Sequence, residues 1–124
     1  MTPFKTDGSL DEAAFRALVE WQVEQGIHFL VPCGSTGEAA TMSFDEHLRI
    51  VEITVEQVAG RVPVVAGAGS NDTADCIRLC RAVTECGATH LLVVSPMYNL
   101  SLIHSDAADE RSSVDLGGRR IIKK

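Results

Sequence analysis

The sequence predicts an α/β fold with parallel strands, because three helix–strand units of similar design follow one another. Each unit pairs an amphipathic helix with a continuous apolar run that is too short to be a helix. Alternation of this kind joins parallel strands through right-handed crossovers. The pattern leaves open whether the strands form an open, doubly wound sheet or part of a barrel.

Capping and stop signals delimit the helices. Ser9 with Glu12, and Ser43 with Glu46, fit the capping box, in which side chains satisfy the unpaired N–H groups of the first helical turn. Glycines follow the apolar stripes as left-handed stops. We predict helices over residues 10–25, from 43 to 60, and from 71 or 72 to 87.

The predicted strands are Ile27–Val31, Val62–Ala66 and His90–Val94. The run Val62–Ala66 is apolar throughout, as expected for a strand that is buried on both faces. The loops after these strands cover residues 32–42, 67–71 and 95–99. In α/β folds, chemistry collects in the loops at the carboxyl ends of the strands, so we expect the site there.

Composition narrows the class of protein. Of 124 residues, 45% are hydrophobic and 23% charged, which is an ordinary globular balance. The formal net charge of -6 disfavours nucleic-acid and anionic-membrane partners. No apolar run approaches the ~20 residues of a membrane span. The first residues lack the features of a signal peptide, so we expect a cytoplasmic protein.

The four cysteines are Cys33, Cys76, Cys80 and Cys86. None forms a C-x-x-C pair, and no histidine spacing resembles a zinc site, so we expect no metal. Cys76 and Cys80 share one face of the third helix. We interpret the four residues as small, buried, reduced thiols.

The first loop, Gly34-Ser35-Thr36-Gly37-Glu38, combines two glycines with two adjacent hydroxyls. The glycines let the backbone approach a ligand, and the hydroxyls could bind a carboxylate or relay a proton. A plain glycine turn before the next helix explains the same residues.

The other two loops are ambiguous when each is taken alone. The segment Gly67–Asn71 begins like a dinucleotide fingerprint, but Asp72 occupies the third glycine position and would repel a pyrophosphate. We predict a tight turn there, with Asn71 as the helix cap. Tyr98 lies just past a strand, where a tyrosine either carries a proton or packs at the rim.

Taken together, the segments resemble the N-terminal part of the dihydrodipicolinate synthase (4-hydroxy-tetrahydrodipicolinate synthase) family, over residues 2–99. This family belongs to the pyruvate-dependent class I aldolases, which include N-acetylneuraminate lyase. The matching motifs are Thr2-Pro3-Phe4, Gly34-Ser35-Thr36-Gly37-Glu38, Ser43-Phe44-Asp45-Glu46-His47, Gly60-Arg61-Val62-Pro63-Val64-Val65-Ala66-Gly67-Ala68-Gly69-Ser70-Asn71 and Pro96-Met97-Tyr98-Asn99.

The resemblance implies a fold, an activity and an assembly. The fold is a (β/α)₈ barrel, of which residues 1–99 would supply the end of the first strand through the fourth, roughly half a barrel. The activity is a lyase reaction of lysine biosynthesis by the diaminopimelate pathway. Pyruvate forms a Schiff base with a lysine and condenses with aspartate semialdehyde, without a further cofactor. The family assembles as a homotetramer.

The resemblance also assigns roles to residues. Ser35 matches a hydroxyl of a proton relay and lies in the pyruvate site. Thr36 matches the residue that helps to bind the pyruvate carboxylate. Tyr98 matches the relay tyrosine that reaches into a neighbouring subunit's active site. We therefore expect Ser35 and Tyr98 to be catalytic, and Ser35 and Thr36 to bind substrate.

A second set of residues falls at the family's lysine-inhibition site: Ala40, His47, Gly69, Asn71 and Asp75. Of these, His47, Gly69 and Asn71 match the family. Phe44 stands where sensitive members often have a second histidine, and Met97 replaces a common tyrosine. Asp75 replaces a glutamate. Feedback inhibition by lysine is therefore not carried over by the resemblance.

Two alternative functions stay open. The glycine loop is also common in neuraminate lyases, so another lyase of the family fits it. A non-catalytic α/β module that binds a small carboxylate or a partner chain is the alternative from a different class. The Schiff-base lysine, the second relay tyrosine and the substrate-binding arginine lie beyond the fourth strand in the family, and nothing after Asn99 matches them. We expect the 124-residue chain to be inactive as an aldolase.

Residues 100–124 differ in character from the rest and are expected to form an irregular tail. The segment Leu100–His104 can be encoded by CTG TCT CTT ATA CAC, which resembles a transposon end used in sequencing libraries. Ser105–Glu110 and Ser113–Ile122 can likewise be encoded by adjoining adapter strings. We interpret residues 100–124 as a non-native tail; a divergent natural segment is the alternative.

Overall fold

A computed structural model describes residues 1–95, 112–114 and 120–122 of the chain. The α/β alternation that the sequence predicts is confirmed. The elements are α1 (Glu12–Glu24), α2 (Phe44–Val58), β1 (Val65–Gly67), α3 (Thr73–Glu85), β2 (His90–Leu92), β3 (Ser112–Val114) and β4 (Arg120–Ile122), with two 3₁₀ turns at Ser35–Gly37 and Ala39–Thr41 between α1 and α2.

The central sheet is parallel, as predicted. Strand β1 pairs with β2, with Val65 opposite His90 and Gly67 opposite Leu92. The predicted first strand is reduced to one parallel bridge, between Leu30 and Val64. Backbone hydrogen bonds of 3.0 Å from Leu30 N to Pro63 O and 2.9 Å from Val65 N to Leu30 O hold this bridge. The three segments therefore lie side by side in chain order.

Helix α2 begins as predicted. The Ser43 hydroxyl accepts a hydrogen bond from Glu46 N at 3.3 Å, and the Glu46 carboxylate accepts one from Ser43 N at 2.8 Å, which completes the capping box. The helix ends at Ala59, which adopts a left-handed conformation with φ of 49°, one residue before the predicted glycine stop.

The cap of helix α1 differs from the prediction. Asp11, and not Ser9, caps the helix by accepting a hydrogen bond from Ala14 N at 3.0 Å. Ser9 instead donates to Asp7 at 2.6 Å. The Glu12 side chain cannot close a box with Ser9, because it binds Arg49 of helix α2.

Helix α3 is capped by Asp72, which accepts from Asp75 N at 2.9 Å. The prediction that Asn71 is the cap is therefore wrong, although the start near residue 72 is confirmed. Both residue types can cap a helix, so the chain geometry decides between them.

The core lies between the sheet and the helices. Leu30, Val64 and Ala66 point into it from the sheet, and fully buried side chains of α2, such as Ile50 and Ile53, meet them. Burial alternates along Val62–Ala66, so the prediction that this strand is buried on both faces is wrong. Within the described residues, the helices cover only one face of the sheet.

The opposite surface of the sheet is apolar and exposed. Its side chains are Phe29 (50% exposed), Val31 (40%), Leu91 (40%) and Val93 (45%). Phe29 and Val31 flank the buried Leu30, and Leu91 and Val93 flank the half-buried Leu92, as a period of two requires. We call these four residues the open sheet face.

Two ion pairs join helices α1 and α2, and a third joins α1 to Arg61, three residues after the end of α2. They are Arg16–Glu56 (2.6 Å), Arg49–Glu12 (2.8 Å) and Arg61–Glu20 (2.6 Å). Hydrogen bonds from Arg61 and then Gln57 lower the pKa of Glu20 to about 2. The pairs lie at the surface and orient the helices more than they stabilise them.

The tail differs from the prediction at six residues. Strands β3 and β4 pair antiparallel, with Ser112 opposite Ile122 and Val114 opposite Arg120. The β-branched residues Val114, Ile121 and Ile122 favour extended backbone, which gives a local reason for the pairing.

In the part of the chain that the structure describes, no helix is long and apolar enough to cross a membrane.

Candidate functional site

The ends of the first two sheet segments meet in a very close backbone contact. Gly67 N donates to Pro32 O at 2.9 Å, and a Cβ at Gly67 would lie 1.9 Å from Cys33 O. Only glycine fits at position 67 for this reason. Cys33 itself adopts a φ of 58°, which turns the chain out of the sheet into the first loop. The contact fixes where that loop begins.

The first loop is folded as two short 3₁₀ turns. Gly37 N donates to Gly34 O at 2.9 Å and Glu38 N to Ser35 O at 3.0 Å. The Thr2 hydroxyl donates to Gly37 O at 2.9 Å and ties the loop to the start of the chain. Ser35 is exposed at the surface of this ordered turn, so its hydroxyl is accessible to a ligand.

His47 fastens helix α2 to the end of β1. Its Nε2 lies 2.7 Å from Gly67 O, and because a carbonyl only accepts, Nε2 carries the proton. Burial lowers the pKa of the imidazole, and the hydrogen bond to Gly67 opposes this in part. His47 is therefore a structural donor in its neutral form.

The thiol of Cys33 packs behind the same helix. Its Sγ lies 3.7 Å from His47 O and donates to it. Burial raises the pKa of the Cys33 thiol to about 12. The residue is therefore a packed, protonated thiol and a poor nucleophile, in agreement with the predicted role.

A cavity of about 670 Å³ opens between the first loop, α2 and the start of α3. Ser35 lines it. All five residues that the family resemblance places at a regulatory site line it as well: Ala40, His47, Gly69, Asn71 and Asp75. Residues spread over 36 positions of the sequence, from Ala40 to Asp75, therefore line one concave surface.

Ser35 and Thr36 face different cavities. Thr36 lines a smaller cavity of about 180 Å³, together with Thr2, Gly37 and Thr54. The 3₁₀ turn separates the two side chains, because successive residues in such a turn point about 120° apart. Tyr98 lies outside the described residues.

Arg78 is a feature of the cavity that the sequence analysis missed. Its guanidinium lies 4.3 Å from the centre of the Phe44 ring and 3.3 Å from an Asp75 carboxylate oxygen. The spacing of three between Asp75 and Arg78 is the only signal in the sequence for this arrangement. The contact with Phe44 depends on how α2 and α3 pack.

No cluster of three or more metal-binding side chains occurs among the described residues. The described cavity instead offers hydroxyl, amide and backbone groups, with one arginine and one carboxylate at its edge. These groups suit a small polar organic ligand.

The fold and the site together define the class of protein. Parallel strands joined through helices, with a polar cavity at the carboxyl ends of the strands, are typical of the wall of a (β/α)₈-barrel enzyme.

Comparison with known proteins identifies the family. Residues 1–103 match the Dihydrodipicolinate synthetase family. The chain is 57% identical over 99 residues to 4-hydroxy-tetrahydrodipicolinate synthase of Nitratidesulfovibrio vulgaris (strain DP4), covering 80% of this chain and 34% of that protein. It is 49% identical over 119 residues to the enzyme of the same name in Maridesulfovibrio salexigens, covering 92% of this chain and 40% of that one.

Among solved structures, the chloride-inhibited dihydrodipicolinate synthase of Acinetobacter baumannii, complexed with pyruvate, superposes with a TM-score of 0.81 at 37% identity. The match covers 85% of this chain and 36% of that one. The chain belongs to the dihydrodipicolinate synthetase family. It spans about a third of the length of the curated relatives it matches, and its fold is the N-terminal portion of a (β/α)₈ barrel.

Proposed function

We propose that this chain is the N-terminal part of a 4-hydroxy-tetrahydrodipicolinate synthase. The complete enzyme binds pyruvate as a Schiff base on a lysine and condenses it with aspartate semialdehyde in lysine biosynthesis, in the cytoplasm. The observation that carries the proposal is the match to enzymes of that name at up to 58% identity over 99 residues. The related structure from Acinetobacter baumannii is described as a pyruvate complex, which supports pyruvate as the first substrate.

Within this chain, Ser35 is the residue proposed to act in the chemistry. Its hydroxyl lies on an ordered turn and lines the large cavity, so it can pass a proton to or from a bound substrate. Thr36 is proposed to contact the carboxylate of pyruvate through its backbone N–H, because its side chain lines the smaller cavity. Tyr98 is proposed to complete the relay in a neighbouring subunit of a homotetramer. The amine nucleophile is not supplied by residues 7–122, since no lysine occurs there.

A chimaera tests the proposal. Residues 1–99 of this chain are joined to the remainder of the Nitratidesulfovibrio vulgaris relative, and pyruvate with borohydride is used to trap a Schiff base. We expect covalent trapping and condensation with aspartate semialdehyde. Trapping followed by cleavage of N-acetylneuraminate would instead favour a neuraminate lyase. A folded chimaera that traps no pyruvate would favour the non-catalytic module.

The role of Ser35 is tested in the same chimaera. Ser35→Ala removes the hydroxyl and little else, so we expect turnover to fall by ~10²–10⁴-fold, as for other positioned acid–base groups. Ser70→Ala is the matched control, because Ser70 lines the same cavity and contacts Asp72 N at 3.2 Å. Full turnover in Ser35→Ala would remove Ser35 from the mechanism.

We also propose that the cavity residues Ala40, His47, Gly69, Asn71 and Asp75 form a regulatory site for a small ligand. The position of Arg78 affects which ligand this site can bind. Its guanidinium pairs with Asp75 and covers Phe44, so an incoming amine has to compete with it for the carboxylate. This arrangement supports weak or absent feedback inhibition by lysine.

A further inference from the structure

Helix α3 presents two thiols to one backbone carbonyl. Cys76 Sγ lies 3.3 Å and Cys80 Sγ 3.9 Å from Ala68 O, and both thiols donate to that oxygen. The two residues are four apart in the helix, so their Cβ atoms are about 5–6 Å apart on one face. Both side chains are partly exposed, as is that of Cys86, so the prediction that all four thiols are buried is confirmed for Cys33 and wrong for these three.

We propose that Cys76 and Cys80 form a two-thiol site that binds trivalent arsenicals. A trivalent organoarsenical forms bonds to two thiolate sulfurs that lie close together. Two cysteines four residues apart supply two such sulfurs on the same face of a helix. A structural zinc ion needs four ligands. Around these cysteines, the described residues supply no third metal-binding side chain.

Geometry favours a bridging atom over a direct disulfide. A disulfide needs Cβ atoms about 3.5–4.5 Å apart, which is shorter than the helical separation, so the helix would have to unwind. An arsenic atom bonded to both sulfurs lets them stay farther apart than a direct S–S bond does. The helix can therefore keep its hydrogen bonds when the bridge forms.

The reaction is balanced without an oxidant. An aryl arsonous acid carries two As–OH groups, and each thiol displaces one of them. Two S–H and two As–O bonds break, two As–S bonds form, and two waters leave. Arsenic stays trivalent throughout.

The other two cysteines do not compete. Cys33 is buried against α2, and its thiol is shielded from solvent. Cys86 caps the opposite end of α3, six residues beyond Cys80, and lies on a different face of the helix. A bridge at Cys76 and Cys80 also withdraws two donors from Ala68 O, in the segment between Gly67 and Gly69 that walls the large cavity.

The test titrates the full 124-residue chain with phenylarsine oxide in excess monothiol, followed by intact mass measurement. We expect one arsenical per chain. In Cys76→Ser and in Cys80→Ser the affinity should fall by about 10²–10⁴-fold, because the second thiol no longer binds intramolecularly. Cys86→Ser is the matched control and should bind as the unaltered chain does. Unchanged affinity in either of the first two variants overturns the proposal.

Alkylation mapping tests the same site without a substitution. Bound phenylarsine should protect Cys76 and Cys80 from iodoacetamide and leave Cys86 reactive. Protection of Cys86 in place of either residue would also overturn the proposal. Self-association through the open sheet face does not disturb these measurements, since both cysteines lie in the helical layer.

Discussion

Gly67 is the residue on which the geometry of the site depends most. A Cβ at this position would lie 1.9 Å from Cys33 O, which is backbone and cannot rotate away. The same residue also accepts the hydrogen bond from His47 and donates one to Pro32. One glycine thus joins two sheet segments to the helix that lines the cavity.

Gly67→Ala should destabilise the fold by ~3 kcal/mol or more, because two backbone segments have to move apart. The midpoint of urea unfolding, followed by circular dichroism, measures this change. Gly34→Ala is the control: it has a negative φ, and an added Cβ there meets only Val31 Cγ1 at 3.6 Å. Equal unfolding midpoints for the two variants would contradict the role assigned to Gly67.

His47 makes stability depend on pH in a defined direction. Its folded-state pKa is lowered by burial, so the unfolded chain binds more protons on acidification. Stability due to neutral His47 is complete above about pH 6.5 and is lost as the pH falls toward the folded-state pKa.

We therefore expect a larger fall in Tm for the unaltered chain than for His47→Gln when the pH is lowered from about 7.5 to about 5.5. The glutamine keeps a hydrogen-bond donor but does not titrate. His28→Gln, at an exposed histidine, should retain the original pH dependence. Identical Tm differences in all three proteins would show that His47 is not the titrating group.

At the scale of elements, the helices follow from local signals. The capping box at Ser43 and Glu46 is read directly from the sequence, because both partners lie within one turn. The cap of α1 cannot be read from the sequence in the same way. Asp11 and Ser9 are both able to cap a helix, and a distant residue, Arg49, binds Glu12. Tertiary contacts decide what local propensity leaves open.

Ser43→Ala should destabilise the protein by ~1 kcal/mol, because Glu46 N loses its acceptor. Thermal unfolding measures the difference. Ser43→Thr keeps the hydroxyl and should remain close to the unaltered chain. A loss of similar size in Ser43→Thr would point to packing rather than capping as the cause.

The sequence also predicts the position of the site better than its contacts. Ser35 lies at the carboxyl end of a sheet segment because parallel α/β connectivity places such loops at one edge. The division of Ser35 and Thr36 between two cavities depends on a 3₁₀ turn that no local signal announces. The placement of Arg78 over Phe44 depends on the packing of α2 against α3, which is equally invisible in the sequence.

At the scale of the whole molecule, the layers are asymmetric. Helices cover one side of the sheet, and the open sheet face exposes the other, with Phe29, Val31, Leu91 and Val93 each 40–50% accessible. Contiguous apolar surface of this kind promotes association. We expect the 124-residue chain to self-associate in solution through this face.

Val93→Lys should reduce the association, because each new contact would have to bury a charge. Removing the burial of one valine, worth about 1.5–3 kcal/mol, should raise the concentration needed for association by roughly tenfold or more. Sedimentation velocity over a concentration series measures this. Ile77→Lys, at an equally exposed apolar residue on α3, is the control and should associate as before. If the chain without substitutions sediments as a monodisperse monomer, the expected self-association is contradicted.

The contact between Cys33 and Gly67 also has a consequence for sequence variation. At position 67 every substitution adds a Cβ atom, which collides with the carbonyl oxygen of Cys33. No amino acid can therefore replace glycine there without a cost in stability. At position 33 the colliding group is the main chain, which every amino acid possesses, and only the left-handed φ and the space beside His47 restrict the side chain. The contact therefore constrains its two partners unequally: position 67 accepts only glycine, whereas position 33 accepts any residue whose backbone can adopt that turn and whose side chain fits beside His47.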